Sequence, residues 1–379
     1  MIMPDWTVAR AAIIIAFFGT ALMSPYGRSA LAATPSAEAT VVNRGVVELE
    51  TGGSNETAAR IAADIVSIVD DGATRRVVPV IGKGPIQNLT DLKFLRGIDL
   101  AIVQSDALDY AREQRLIPGI EALNYIAKLY NEEFHLVARS NIKTIADLAN
   151  QTINVDLRGS GTAVTTSRLF DLLKITVTVT TDNQEVALQR LRKGEIAAVA
   201  LLAAKPAPLF RDLKTGDGLH LLSIPLTPAV TAAYVPARLT ADDYPQLVAA
   251  DQPSDTIAVA SLLMAADLRM VPERYRNVVN FVEAFFAGSQ SLLDTGHHPK
   301  WQEVNIAASV PGWVRYPPAE QWLQRNMQVA TAPNPDAMKS LFARFVDERR
   351  QASGGAPMSA EDKDALFQQF RAWQRGQAR

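Results

Sequence analysis

Two hydrophobic periods take turns along the chain. Gly45–Leu49 reads as a strand, and Ala58, Ile61, Ile65, Ile68 and Val69 then share one face of a helix starting near Glu56. Val77–Ile81 is the next apolar run, followed by a helix through Leu89, Leu92 and Leu95. Leu100–Val103 is a third strand, before a helical stretch to about Gln114. Tyr125–Leu129 and Phe134–Arg139 read as two extended segments, and a short helical turn follows at Ile145–Leu148. Thr152–Asp156 is extended, and the residues after Arg158 open a helix that reaches Leu173. Thr176–Thr180, Val186–Leu191 and Ala197–Leu202 continue as strand, helix and strand. This βαβα rhythm predicts parallel, doubly wound sheets with helices on both faces.

The two ends break the rhythm. Ala11–Met23 is an uncharged apolar run behind a single arginine, too short to span a bilayer, which takes about 20 residues. Ala30-Leu31-Ala32 supplies the small-x-small pattern of a cleavage site. Residues 1–32 therefore read as a signal peptide cut before Ala33, and the mature chain as periplasmic. The alternative is an uncleaved anchor. At the other end, Trp301, Trp313, Trp322 and Trp373 lie in a segment of helical spacing over 296–379, with a flexible joint at Ser353–Pro357. Ser359-x-x-Asp362 resembles a capping box before Leu366, Phe370 and Trp373. Amphipathic helices of this kind are expected to pack back on the body; docking a partner is the alternative.

Composition narrows the chemistry. The 379 residues carry 38 Lys plus Arg against 40 Asp plus Glu, a balance unsuited to holding nucleic acid by charge. With no cysteine there is no disulfide, thiolate nucleophile, Cys-ligated zinc or iron–sulfur cluster.

The informative residues sit where strands turn into helices. Four such junctions are small or polar: Gly52-Gly53-Ser54-Asn55, Gly82-Lys83-Gly84, Gln104-Ser105-Asp106 and Gly159-Ser160-Gly161-Thr162. In an open α/β sheet, ligands lie just beyond the carboxyl ends of the strands. The fourth junction combines glycines that admit close approach, two hydroxyls and the free N–H groups of a helix start, which suits a carboxylate or phosphate. No lysine makes it a P-loop, and Gln87 stands where a dinucleotide fingerprint needs a third glycine. Arg158 and Lys83 are the loop cations nearest in sequence. Catalysis lacks a constellation. Ser160 is not in a nucleophile elbow, His297-His298 lack carboxylates at ligand spacing, His135 and His220 sit in apolar runs, and Asp70-Asp71 and Asp242-Asp243 mark turns. No metal site and no cofactor are expected.

Taken in order, these junctions resemble a family. Asn88-Leu89, then Gly97-Ile98-Asp99-Leu100-Ala101-Ile102-Val103-Gln104-Ser105-Asp106, Phe134–Arg139, Ile142–Leu148 and Gly159–Thr162 are similar to the solute receptors of TRAP transporters in their TAXI branch. Val186-Ala187-Leu188, Lys193-Gly194-Glu195, Asp243-Tyr244-Pro245 and Thr256–Met264 continue the likeness, which spans roughly Gly52 to Leu293. It departs at the first junction, where no aromatic follows the glycines. The resemblance implies a non-enzymatic, two-lobed α/β protein with the type II periplasmic binding-protein fold and a helical C-terminal extension. It would close on a small carboxylate, such as an amino acid or dicarboxylate, and deliver it to a membrane permease. Gly53, Ser54, Asn55, Asn88, Gln104–Asp106, Arg158–Thr162 and Tyr244 are then the expected ligand residues. Lobe one is expected over 41–139 plus 232–295 and lobe two over 140–231, with hinges near Arg139–Asn141 and Leu226–Thr231. The mature chain is expected to be a soluble monomer. Reporting to a membrane sensor is the alternative role, and an enzyme on the same fold a third.

Overall fold

The computed structural model describes Ser36, Glu38, residues 42–53 and residues 56–330. The expected signal peptide, Ser54, Asn55 and the helices expected beyond residue 330 lie outside the described residues. The chain divides into Met1–Asn43 and a second unit from Arg44 on, which holds the fold.

Strand β1 (Val46–Thr51) turns through the first junction into helix α1 (Thr57–Val69). That helix buries Ala58, Ile61, Ala62, Ile65 and Val69, one stripe at helical spacing. Each of its two buried isoleucines contributes about 2 kcal/mol of burial. Then follow β2 (Arg76–Ile81), α2 (Pro85–Phe94), β3 (Leu100–Gln104) and α3 (Ser105–Glu113). Pro85 occupies the first turn of α2, where its missing N–H has no helical partner to lose. Strand β4 runs from Asn124 to Arg139. Beyond it come β5 (Thr152–Asn154), α4 (Gly161–Leu173), β6 (Thr178–Thr180), α5 (Gln184–Arg192), β7 (Ala198–Ala203) and β8 (Leu219–Leu221). Helix α6 (Pro228–Ala233), β9 (Val235–Leu239), β10 (Ser254–Ala265), α7 (Pro272–Gly288) and α8 (Pro317–Ala330) complete the described chain.

The strands form a sheet in the order β2-β1-β3-β10-β4-β7-β5-β6, with β8 beside β4 and β9 beside β10. It is mixed rather than all parallel. Strands β1, β2 and β3 are parallel, as are β5, β6 and β7, but β10 runs antiparallel to β3 and β4, and β4 antiparallel to β7. The expected two-lobed α/β architecture is present, and its buried side chains show where the lobes divide. One core gathers β1 to β3, the first part of β4 up to Tyr130, and Leu262 onward through Leu323. Two further cores, on the other side, begin at Phe134 and end at Val259.

The division therefore falls inside β4 and β10, not at Arg139–Asn141 and Leu226–Thr231. Sequence alternation splits β4 in two because Asn131-Glu132-Glu133 interrupts the apolar pattern. The backbone stays extended there because Ala258, Val259 and Ala260 of β10 pair with those three residues. The segment 232–259, expected in lobe one, belongs to lobe two: Tyr234, Leu239, Tyr244, Leu247 and Val248 all lie in its cores. Pro228 begins α6 instead of framing a crossing.

The first part of the C-terminal segment packs on lobe one, as expected. Trp301 is buried against Phe285 and donates from Nε1 to Asp64 at 2.8 Å. Arg315, also buried, donates to the carbonyls of Ile126, Ile306, Ala307 and Ala308 and lies over the Tyr125 ring.

Candidate functional site

Parallel strands deliver the junctions of both lobes to one place. On lobe one, β2 ends at Gly82–Gly84 and β3 at Gln104; on lobe two, β5 leads through Asp156–Ser160 into α4. The two sides touch. A Cβ on Gly84 would lie 2.4 Å from the Gly159 carbonyl oxygen, and one on Gly161 would lie 2.9 Å from the Gln104 side chain. Gly84 also has φ +128, a conformation that side chains disfavour. Glycine is required there by both backbone and neighbour.

Helix α4 starts as the sequence suggested. Ser160 is its N-cap, accepting from the Ala163 N–H at 3.1 Å. Thr162 is buried, and its hydroxyl accepts from the Leu202 N–H at 3.0 Å, so it ties the helix to β7. Gly159 is half-buried and Arg158 is exposed. On lobe one, Gly53 is half-buried and its carbonyl accepts from the Glu56 N–H, opening α1. Asn88 is a strut: its Nδ2 donates to the Thr51 carbonyl at 2.8 Å and, more weakly, to Ile102, pinning two strand ends together. Ser105 begins α3 and is half-buried.

Gln104 and Asp106 reach furthest. The Gln104 amide donates to Glu132 at 2.8 Å, and the Tyr130 hydroxyl donates to the other Glu132 oxygen at 3.1 Å. Glu132 is buried at the crossing in β4, and burial pushes its pKa up to about 7. Asp106 is buried too and accepts from Thr165 at 2.7 Å and Tyr234 at 3.2 Å, both on lobe two. Burial raises its pKa, against the pull of those donors and of Arg168. Arg168 on α4 pairs with Glu113 on α3 at 2.7 Å and lies over the Tyr110 ring, so α3 and α4 form a clasp between the lobes.

Tyr244 does not join this group. Its hydroxyl accepts from the Ala207 N–H at 2.6 Å and shares a hydrogen bond with His135 Nε2 at 2.7 Å inside the lobe-two core. Burial pushes the His135 pKa down to about 4, which keeps the ring neutral. Tyr244 is expected among the ligand residues from its place in the sequence, but packing in the lobe-two core holds it there instead.

Three acidic residues at the cleft escaped the sequence reading. Glu132 is buried in β4 where that strand passes between the lobes. Glu56, at the start of α1, is surrounded by protein yet keeps solvent contact, and Asp156 occupies the junction before α4 with φ +67. Burial raises the pKa of each, and Asp156 adds repulsion on Glu56 as Glu56 does on Glu132. The available signal was the Glu132-Glu133 pair inside an apolar extended run, where a strand has no reason to place charge unless something meets it.

Residues 51–292 match the NMT1-like family. Among solved structures, the chain is similar to YhfZ from Shigella flexneri at 15% identity, over 67% of this chain and 93% of that one, with a TM-score of 0.43. It is also similar to the periplasmic aliphatic sulphonate binding protein SsuA from Escherichia coli, at 15% identity over 65% and 73%, with a TM-score of 0.39. A TctC solute binding protein from Polaromonas matches at 12% identity over 65% and 88%, with a TM-score of 0.38.

Proposed function

The chain belongs to the NMT1-like family, and from that premise we propose that it is an extracytoplasmic solute-binding protein. It captures a small carboxylate, such as an amino acid or a dicarboxylate, between its lobes and passes it to a TRAP-type membrane permease. The periplasm is the compartment this role requires. Among the described residues no helix is long and apolar enough to cross a membrane.

One observation carries the reading. The lobes are joined by the long strands β4 and β10, and their junction loops meet at the carboxyl ends of β2, β3 and β5 around the start of α4. Such a joint closes on what lies between its halves and does not need to transform it. The backbone N–H groups of Gly161 and Thr162 have no intrahelical acceptor and face the junction, a place for a carboxylate.

Thermal denaturation with a panel of amino acids, dicarboxylates and neutral sugars tests the proposal. Saturating carboxylate is expected to raise the melting temperature by several degrees, since a ligand at one hundred times its Kd stabilises by about 2.7 kcal/mol. A rise with sugars and none with carboxylates would overturn it.

A further inference from the structure

Several carboxylates drawn out of water in this protein have a cation beside them, unlike those at the lobe junction. Glu133, the residue after Glu132, meets Lys300 Nζ at 2.6 Å. Asp99 holds Arg274 at 2.7 Å and Asp243 holds Lys205 at 3.0 Å. Among the described residues, no ion pair reaches Glu56, Glu132 or Asp156. Glu132 is held only by neutral donors, Gln104 and Tyr130. Lys83 and Arg158 stand at the rim with exposed side chains, where water screens them.

A second observation points the same way. The Ser261 side chain is fully buried and its hydroxyl has no partner. It stands directly opposite Gln104 in the β3–β10 pairing, so both side chains project from the same face, where Gln104 meets Glu132. Asp106 Oδ1, two residues on from Gln104, is likewise buried without a partner. Unpaired charge and unmet hydrogen-bonding atoms of this kind are costly unless a donor arrives. An ammonium brings three donors and a positive charge. Among the described residues no group of acids and histidines has the spacing to hold a metal ion, which favours an organic cation.

We propose that the cleft selects a ligand whose amine charge at least balances its carboxylate charge, with the amine seated at Glu132 between Glu56 and Asp156. Neutral zwitterions, basic amino acids and amines fit; acidic amino acids and dicarboxylates are rejected. The inference rests on the solute-binding reading above and revises its ligand class: the dicarboxylates drop out, and a cationic amine becomes the required group.

A charge series on a five-carbon spine tests it: 1,5-diaminopentane, L-ornithine, 5-aminopentanoate, L-glutamate and glutarate, each titrated by calorimetry into the full chain. Homologues with two to six carbons accompany them, so that size does not decide the outcome. The expected order places the ornithine and aminopentanoate classes at least about tenfold tighter than the glutamate and glutarate classes. Glu132→Gln and Asp156→Asn are each expected to cut the ornithine-to-glutarate affinity ratio by at least about tenfold, a readout that general loss of folding would not produce. Dicarboxylates that bind as tightly as the amines would sink this inference and leave the solute-binding reading standing. A series in which no member binds would sink both. A ratio unchanged in both variants would remove these residues from the selection and overturn the proposal as well.

Discussion

Glu132 is a carboxylate in the middle of a strand, hydrogen-bonded to an amide and a phenol and paired with no cation. Its pKa, about 7 in the folded chain, lies above the ordinary carboxylate value near 4.5. A raised folded pKa means the native state holds its proton more tightly than the unfolded chain. The associated stability is present below about pH 4.5 and is lost as pH rises to about 7, after which it stays flat. Over that window the loss amounts to roughly 3 kcal/mol. Glu132→Gln keeps the shape and cannot ionise, and Gln104 can turn its amide over to offer an acceptor. The variant should therefore match the parent near pH 4.5 and exceed it in stability at pH 8. Urea denaturation of both proteins across that range checks this. Parallel pH profiles would show that Glu132 does not titrate as its surroundings demand.

At the level of elements, the decisive contact is between two loops, not two helices. Gly84 and Gly159 both have positive φ, but only Gly84 would push a Cβ into the opposite lobe. Gly159→Ala should cost about 1 kcal/mol of backbone strain and leave the closed form intact. Gly84→Ala adds a clash with the Gly159 carbonyl that backbone cannot absorb, so the loops must part. Small-angle scattering should show a larger radius of gyration for Gly84→Ala than for Gly159→Ala, with ligand affinity at least about tenfold weaker. Equal radii for the two variants would mean that this loop contact does not govern closure. The clasp between α3 and α4 is the element that would still oppose opening, through Asp106 with Thr165 and Glu113 with Arg168.

Across the whole molecule, Glu133 links three parts of the chain. One oxygen receives Lys300 from the C-terminal segment, and the other accepts from the Lys205 N–H of lobe two at 3.1 Å. Both side chains of the ion pair are buried, and Lys300 also holds Glu303, so removing Lys300 leaves Glu133 uncompensated. Lys300→Met is expected to cost about 3 to 5 kcal/mol in chemical denaturation, and adding Glu133→Gln to recover a substantial part. A cost below about 1 kcal/mol would show that the C-terminal segment is not anchored through this pair. The coupling also places the anchor of the C-terminal segment at the strand where the lobes meet. Stability and closure should therefore move together in this variant.

The elements themselves were written in local pattern. Helix α1 follows from Ala58, Ile61, Ile65 and Val69, and the α4 start from Ser160 and the glycines beside it, because side-chain period and capping act over a few residues. The small and polar junctions at Gln104, Asp106 and Gly159–Thr162 are also local features, and folding brings them to the boundary between the lobes. Chain direction and lobe membership were not local. Whether Asn131-Glu132-Glu133 turns or runs straight depends on β10, more than a hundred residues away, whose backbone supplies the hydrogen bonds. Whether Tyr244 faces a ligand or a core depends on His135 and Ala207, which only folding brings to it. The charge of the cleft was hidden for the same reason. Glu56, Glu132 and Asp156 are ordinary acids in the sequence and become a group only when three separate segments bring them near one another, with no ion pair to any of them among the described residues.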